Sequence, residues 1–381
     1  MRIGIIDIDH YMYLYAACRI LDDSTNQLSI YVDEIVNGQM KEALGGDYSK
    51  YRWIIKAKNE NTGEYVNKIV DDIKANGIEL LFLNTIELNG YYMKLVSRTA
   101  CAKVLTIINI NNWFNRGWRL NLGSLVKRWQ ARSILDRVDA ISVMERNLEN
   151  HIREHNYFTK LIFNLPFSIY EEADTKCEKK RSFVVPGNIE EKRRDYNIVI
   201  DAFQEVIGKD REVELYLLGV PVGDYGKSII DRCEQLVAQG ARIRTYRSFV
   251  DEGLFAREVL SSIAIISPIR VETVFDGISE TYGKTKATGC VFDAIKYAKV
   301  GIFPEDLTVP AEIESSIIKY KGKNDLVNIM NKLLKDEKFL KEQAQNAINN
   351  SLKYSVNNIR PKVFSLIKDM FKLKAEKRGG G

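Results

Sequence analysis

The chain has 381 residues, 45% hydrophobic and 28% charged, which supports two cores of ordinary domain size and excludes a disordered chain. Its formal net charge of +5 is small for this length; it argues against a dedicated nucleic-acid binder and fits anionic ligands or an anionic membrane surface. The five cysteines, at 18, 101, 177, 233 and 290, are odd in number and form no C-x-x-C pair, which argues against a disulfide framework and a zinc site and points to a reducing, cytoplasmic compartment.

The N-terminus, MRIGIIDID, turns acidic at Asp7 without a basic region followed by an apolar one, so it reads as a strand and not as a signal peptide. No apolar run reaches the roughly 18 residues of a membrane span. Short runs rich in Ile, Val, Leu and Phe predict strands at Arg2–Ile8, Leu28–Val32, Trp53–Lys56, Glu79–Asn84, Lys103–Ile110, Ala140–Met144 and Lys160–Leu165. Periodic segments predict helices near Asn67–Ala75, Tyr91–Thr99, Ser124–Asp136 and Arg146–His155. Alternation of this kind implies a mostly parallel, doubly wound sheet. Pro166 and the polar stretch from Glu171 to Arg181 read as a linker. The rhythm then restarts, with strands at Ser182–Val185, Val213–Leu218, Arg242–Tyr246, Ile263–Ile266, Gly301–Phe303 and Ser316–Tyr320. Helices are expected at Tyr196–Ile207, Lys227–Val237, Leu254–Ser261, Val291–Ala298, Asp325–Lys335 and Phe339–Ser351, with a last one over about Pro361–Lys374. The fold class is therefore α/β, with two Rossmann-like domains over 1–168 and 180–355 and a closing helix over 356–376 that returns to the first. Gly379, Gly380 and Gly381 are set aside as a terminal scar.

Ligands of open α/β sheets sit beyond the carboxyl ends of strands, often on helix N-termini, so the strand-to-helix turns carry the candidates. The first runs from Val185 through Gly187 and Asn188 to Arg193 and Arg194. Its glycine admits close approach of backbone to a ligand, and its guanidinium groups suit a diphosphate, although a solvated helix start would use the same charges. The second runs from Tyr282 to Cys290, where Gly283, Lys284, Thr285, Lys286, Thr288 and Gly289 precede an apolar helix. They supply the N–H groups, hydroxyls and cations of a phosphate cradle with Thr288 as N-cap, without the order of a Walker loop. Glu280 lies just upstream; its E-x7-E spacing from Glu272 carries little weight in a chain with 51 acidic residues.

In the first half, Asp7, Asp9 and His10 follow the first strand, where a carboxylate and an imidazole could orient or deprotonate an acceptor hydroxyl, or simply serve as turn and cap residues. Asn109 and Asn111, before Trp113, end another strand and offer amides to a sugar, or the short polar side chains of a turn. Arg116, Arg119, Lys127, Arg128, Arg132 and Arg137, interleaved with Trp118 and Trp129, fit an anionic membrane interface, a stack of single-stranded bases, or a plain surface helix with snorkelling side chains.

These turns, in this order, resemble the GT-B glycosyltransferases of the large retaining family 4. Ile134 to Val143 looks like the end of that family's first-domain sheet, and Asn164-Leu165-Pro166-Phe167 like its crossover into the second domain. Val185-Pro186-Gly187 to Ala202-Phe203 is similar to its glycine, basic pair and helix. Tyr246 to Pro268, with Phe249, resembles the stretch that flanks the nucleotide base. Tyr282, Gly283, Thr285, Lys286, Thr288 and Gly289 meet a Y-G-x-T-K-x-[ST]-G signature. The resemblance implies a transfer from a nucleoside diphosphate sugar, with retention and without metal or other cofactor, to a glycan or lipid-linked acceptor in cell-surface polysaccharide or glycoconjugate synthesis. Gly187, Asn188, Arg193, Arg194, Phe249, Lys284, Lys286, Thr288 and Gly289 would hold the donor, and Glu280 its sugar or ribose hydroxyls. Asp9 and His10 would stand on the acceptor side with Asn109 and Asn111. The basic tryptophan segment would rest on the cytoplasmic face of the membrane, and no nucleic acid is expected.

Two departures stand out. The turn after the first strand is Asp7-Ile8-Asp9-His10-Tyr11 where the family has glycines. Ile108 or Asn109 stands where it often has a histidine. The missing histidine motivates the alternative of an inactive GT-B scaffold subunit in a transferase complex, and a sugar-nucleotide epimerase is a further enzyme of the same fold.

Overall fold

A computed structural model of the protein describes residues 1–116, 122–172, 180–275 and 277–379. Trp118 and Arg119, Cys177, much of the polar linker stretch, and Gly380 and Gly381 lie outside the described residues. The chain divides into two compact units, Met1–Ser168 with Val356–Gly381, and Ile169–Ser355.

The first unit runs β1 (Arg2–Asp7), α1 (Tyr11–Leu21), β2 (Gln27–Asp33), α2 (Glu34–Leu44), β3 (Arg52–Lys56), α3 (Thr62–Ala75), β4 (Leu80–Thr85), α4 (Gly90–Arg98) and β5 (Ala102–Thr106). It continues with α5 (Ile110–Phe114), α6 (Leu122–Arg137), β6 (Ala140–Val143), α7 (Arg146–Glu154) and β7 (Leu161–Asn164). The second unit runs β8 (Ser182–Pro186), α8 (Tyr196–Ile207), β9 (Glu214–Leu218), α9 (Gly223–Ala238), β10 (Arg242–Thr245), α10 (Glu252–Ser261), β11 (Ala264–Ile266), β12 (Glu272–Phe275) and β13 (Ile278–Thr281). There follow α11 (Gly289–Lys296), β14 (Val300–Pro304), β15 (Ile317–Tyr320), α12 (Lys323–Lys335) and α13 (Glu337–Leu352), before α14 (Val356–Gly379) adds to the first unit.

Among the described residues the first sheet has the order β3-β2-β1-β4-β5-β6-β7 and the second β10-β9-β8-β11-β14-β15. The pairings in both are parallel. Each sheet therefore reverses its winding once, between β1 and β4 in the first unit and between β8 and β11 in the second. Crevices at the carboxyl ends of those strand pairs are where doubly wound sheets bind ligands.

Parallel strands buried on both faces need continuous apolar runs, and β4 and β8 are buried at every position. The second core gathers Phe183, Val185, Leu215, Leu217, Ile266 and Ile302 with α8 side chains such as Val199 and Phe203. Each such side chain, fully buried, contributes about 1.5–3 kcal/mol. Helix entries are closed by short polar side chains: the Asp33 carboxylate accepts from the Val36 N–H at 2.8 Å, Asn89 from Tyr91 and Tyr92 at 3.0 and 3.1 Å, and Asp251 from Leu254 at 2.9 Å.

The elements differ from the sequence expectations at several places, and α3 and α9 begin earlier than expected, at Thr62 and Gly223. Helices α1 and α2 were not expected, and α1 is an almost uninterrupted apolar run with most of its residues buried, which hides helical periodicity. The strand expected over Lys103–Ile110 stops at Thr106, because Ile110 begins α5. The antiparallel hairpin β12–β13 was likewise not expected, and it takes up Glu272 and Glu280. The last helix begins at Val356, ahead of Pro361. No described helix is long and apolar enough to cross a membrane.

Candidate functional site

In the second unit the chain leaves β8 at Pro186 and turns at Gly187, whose φ of 100° is a left-handed conformation that favours glycine. A Cβ at Gly187 would press on the Arg194 guanidinium. The Arg194 Nη1 donates to the Asn188 carbonyl at 3.4 Å and stands 3.9 Å from the Glu190 carboxylate. The Tyr196 hydroxyl donates to the Gly187 carbonyl at 2.5 Å. This turn lies against the segment that follows β11: the Asp195 N–H donates to the Pro268 carbonyl, and the Arg270 N–H to the Arg193 carbonyl, both at 2.8 Å. The turn and that segment thus meet at the reversal point of the second sheet. Arg193 is paired closely with Glu190, and that bond holds its guanidinium above the ordinary range against the opposing cost of burial.

The stretch from Tyr282 to Gly289 closes the other side. Gly283 has φ 78°, and a Cβ there would collide with the Thr308 backbone. The Thr281 carbonyl accepts from the N–H groups of Lys284, Thr285 and Lys286 at 3.1, 2.9 and 3.2 Å, a tight turn that fixes the approach to α11. Thr288 occupies the N-cap position of α11 but makes no cap bond; its hydroxyl lies 3.4 Å from the Cys290 sulfur instead. Gly289 opens the helix with free space where a Cβ would be, so a ligand can approach the first turn. Lys286 lies over the Phe275 ring at 4.5 Å, and Lys284 is exposed. The charge of Arg194 reaches this helix. Burial pushes the Asp293 carboxyl up to about 7, Lys296 and Arg194 pull it down less, and Glu252 adds to the rise. The Asp195 N–H donates to the Pro268 carbonyl, and the Cys290 thiol in the first turn of α11 hydrogen-bonds Ser267, so the Arg194 turn and the first turn of α11 flank one segment and present guanidinium and helix N-terminus in one locality.

Glu280 sits on β13 opposite Thr273, buried to 1% exposure. Glu272 is on the partner strand, where both its carboxylate oxygens accept from the Thr281 hydroxyl at 3.0 Å. The E-x7-E spacing is thus a hairpin register. Phe249 follows β10 and is 79% exposed. Lys319 escaped the sequence reading: it donates to the carbonyls of Pro304 and Leu307, and burial pushes its ammonium down. Tyr196, too, lacks any local motif that would mark it as a neighbour of Gly187, whereas Asp293 is where the family resemblance puts an acidic residue on the donor-site helix.

In the first unit the reversal point is built by Asp7. Its Oδ1 accepts from the N–H groups of Asp9 (3.2 Å) and His10 (3.0 Å) and from the Thr85 hydroxyl, so this buried carboxylate closes the entry to α1. Burial pushes its pKa up to about 6, with the hydrogen bonds from Thr85, His10 and Asp9 opposing. The exposed Asp9 carboxylate lies 3.1 Å from Nδ1 of the half-buried His10, and the His10 ring meets Phe167 edge-on at 5.9 Å. The register steps from Ile6–Leu83 to Asp7–Thr85, leaving Asn84 as the extra residue of a bulge. Among the described residues, Asp7 Oδ2 and both amide atoms of Asn84 are buried without a hydrogen-bond partner. Asn109 stands at the N-cap position of α5 and Asn111 within it, at the carboxyl end of β5.

Beside them a cavity of about 570 Å³ is lined by Phe114, Arg116, Arg128, Arg132, Tyr157 and Lys160, among others. Helix α6 turns Leu122, Leu125, Val126 and Trp129 outward, with Trp129 60% exposed.

No protein-family model and no curated protein matches the chain. Solved structures do match it over nearly its whole length. A glycosyltransferase from Rickettsia africae ESF-5 superposes with a TM-score of 0.64 at 13% identity, covering 97% of this chain and 98% of that one. Sucrose-phosphate synthase from Thermosynechococcus elongatus gives 0.62 at 13%, covering 98% and 100%. Anabaena Alr3699/HepE, in complex with UDP-glucose, gives 0.61 at 12%, covering 97% and 100%. At such identities the likeness establishes the fold: the chain has the GT-B architecture of two Rossmann-like units.

Proposed function

We propose that this protein is a glycosyltransferase of the retaining, family-4 kind, moving a sugar from a nucleoside diphosphate sugar to a glycan or lipid-linked acceptor in cell-surface polysaccharide or glycoconjugate synthesis. The observation that carries the reading is the convergence of Gly187, Arg194 and the first turn of α11 at the reversal point of the second sheet. A diphosphate there meets a guanidinium fork and the positive end of a helix. As the glycosidic bond breaks, negative charge grows on the diphosphate, and groups already aimed at it stabilise the leaving group. Arg193, Arg194, Lys284 and Lys286 supply that charge from the chain itself, so the transfer is metal-independent. Asn188 and Thr288 offer polar contacts to the phosphates, Phe249 an exposed ring for the base, and Glu280 a carboxylate for sugar or ribose hydroxyls. The acceptor side belongs to the first unit, with Asp9, His10, Asn109 and Asn111, and the unpartnered buried polar atoms of Asp7 and Asn84 support adding these two. The fold's neighbours include Alr3699/HepE crystallised with UDP-glucose, which makes a uridine donor the first to try.

The outward apolar stripe of α6, together with Lys127, Arg128 and Arg132, supports peripheral contact with an anionic membrane on its cytoplasmic face.

The experiment is a thermal-shift series with UDP, GDP, ADP, CMP and their sugar conjugates. A ligand at about 100 times its Kd stabilises the fold by about 2.7 kcal/mol. Arg194→Ala removes a charge-assisted contact worth about 1.5–3 kcal/mol, so the affinity for the active diphosphate is expected to fall about tenfold to a hundredfold. A shift unchanged in Arg194→Ala would move the donor site elsewhere. Asparagine at 109 favours one second reading, a non-catalytic scaffold subunit, which predicts no nucleotide shift and no sugar release with membrane extracts.

A further inference from the structure

The last turn of α7 gathers three ligand-bearing side chains that the transferase reading does not use. His151, Glu154 and His155 each bring one donor atom to within 4.8 Å of the others. His151 is half-buried, while Glu154 and His155 are exposed. The spacing explains the gathering, since residues three and four apart share one face of a helix.

The tautomer of His155 is set by its surroundings. Its Nδ1 lies 2.9 Å from the His151 carbonyl oxygen, which can only accept, so the proton is on Nδ1. The lone pair of the neutral ring is then on Nε2, the arrangement found in metal-ligating histidines whose other nitrogen donates to a backbone carbonyl. The site also lies at the C-terminus of α7, where the last carbonyls carry negative partial charge and favour a cation.

We propose that His151, Glu154 and His155 form a surface site for a divalent transition ion of the zinc, cobalt or nickel class, with water completing its coordination. Two imidazoles and one carboxylate suit that class, whereas magnesium and calcium prefer all-oxygen shells. Tetrahedral coordination at the usual bond lengths asks for donors about 3.3 Å apart, and a rotamer change at the exposed Glu154, with His155 held by its Nδ1 contact, closes the remaining gap.

The ion would tie α7 to the turn that leads into β7. That turn contains Asn156 in a left-handed conformation, φ 51°. The His155 ring stacks on Tyr157 with centroids 5.3 Å apart, and Tyr157 stacks on Phe114 at 5.4 Å. Tyr157 and Phe114 line the basic cavity beside α6, so the ion braces one wall of that cavity from outside. This role is separate from sugar transfer, and chelation is expected to leave nucleotide binding unchanged.

The test is titration of the metal-stripped full chain with zinc by calorimetry, and with cobalt by visible absorption. The chain contains only three histidines, at 10, 151 and 155, so ring proton spectra assign the ligands directly. One site is expected, with the signals of His151 and His155 moving and that of His10 unmoved. His155→Ala, at an exposed position, and His151→Ala should each weaken binding at least tenfold, and Glu154→Gln should weaken it several-fold. Cys177→Ser is expected to bind as wild type. Circular dichroism confirms that each variant is folded; if His151→Ala is not, His155→Ala decides alone. The proposal is overturned by an absence of zinc binding at millimolar concentration, by unchanged affinity in His155→Ala, or by magnesium competing equally.

Discussion

At the scale of single residues, the first unit holds polar groups where an apolar core would be more stable. Asn84 is buried at a bulge with no partner for its amide, a situation that costs about 1–3 kcal/mol. Asn84→Leu is therefore expected to raise the melting temperature and, on the acceptor role proposed above, to impair acceptor use; a variant less stable than wild type would show that the amide is satisfied within the fold. Asp7 makes a pH-dependent version of the same argument. Its folded-state pKa stands near 6 against an ordinary 3.8, with burial the largest cause. A raised carboxyl means that the folded chain holds this proton more tightly than the unfolded one. The contribution of Asp7 to stability is complete below about pH 3.8 and is lost as pH rises through about 6, a difference of about 3 kcal/mol. Asp7→Asn keeps an acceptor for the two backbone N–H groups and removes the titration. Its stability relative to wild type should rise between pH 4 and 7 in urea melts, and a flat difference would place the ionised carboxylate at no disadvantage.

Whole elements show which parts of the structure the sequence carries legibly and which it does not. Strands such as Ser182–Pro186 and helices such as Tyr196–Ile207 are readable because each repeats its own period with punctuation at both ends. Helix α1 is not, because YMYLYAAC is apolar or aromatic at every position and leaves no polar face to set a period. The hairpin β12–β13 turns at Gly277, beside the undescribed residue 276, and its short strands carry no long apolar run. For the candidate site, glycines and basic residues mark Gly187 and Arg194, but Lys319 on β15 reaches the neighbourhood of α11 only through the fold. The same holds for Arg360. In the sequence it stands just ahead of the helix expected from Pro361, with nothing to mark a partner. In the structure its guanidinium donates to the carbonyls of Arg19, Ile20 and Asp22 at 2.8, 3.0 and 2.6 Å, capping the C-terminus of α1. A charged donor that satisfies three terminal carbonyls is worth about 1.5–3 kcal/mol. Arg360→Ala should lower the unfolding free energy of the first unit by that much in denaturant melts, and Arg360→Lys should restore only part of it because an ammonium lacks the planar fork.

At the scale of the molecule, the chain crosses between units twice, and the second crossing makes the first unit depend on the end of the sequence. Met1–Ser168 is completed by Val356–Gly381. Helix α14 buries Ile359, Val363, Ile367 and Met370, a stripe at helical spacing, and its Lys374 donates to the Cys101 carbonyl at 3.0 Å and to Asp139 at 2.8 Å. Removing α14 leaves α1 uncapped and exposes the surface that those four side chains cover, each worth about 1.5–3 kcal/mol when buried, a sum comparable with the whole stability of a domain. The second unit is continuous in sequence and has its own core. A chain ending at Ser355 is therefore expected to show one cooperative unfolding transition, that of the second unit, with the first unit open to proteolysis. Ile169–Ser355 produced alone should fold and keep the diphosphate-dependent thermal shift. If the shortened chain instead keeps both transitions, the first unit holds itself together and α14 is an accessory. If Ile169–Ser355 folds but loses the shift, the donor contacts proposed for Arg194 and α11 are insufficient alone.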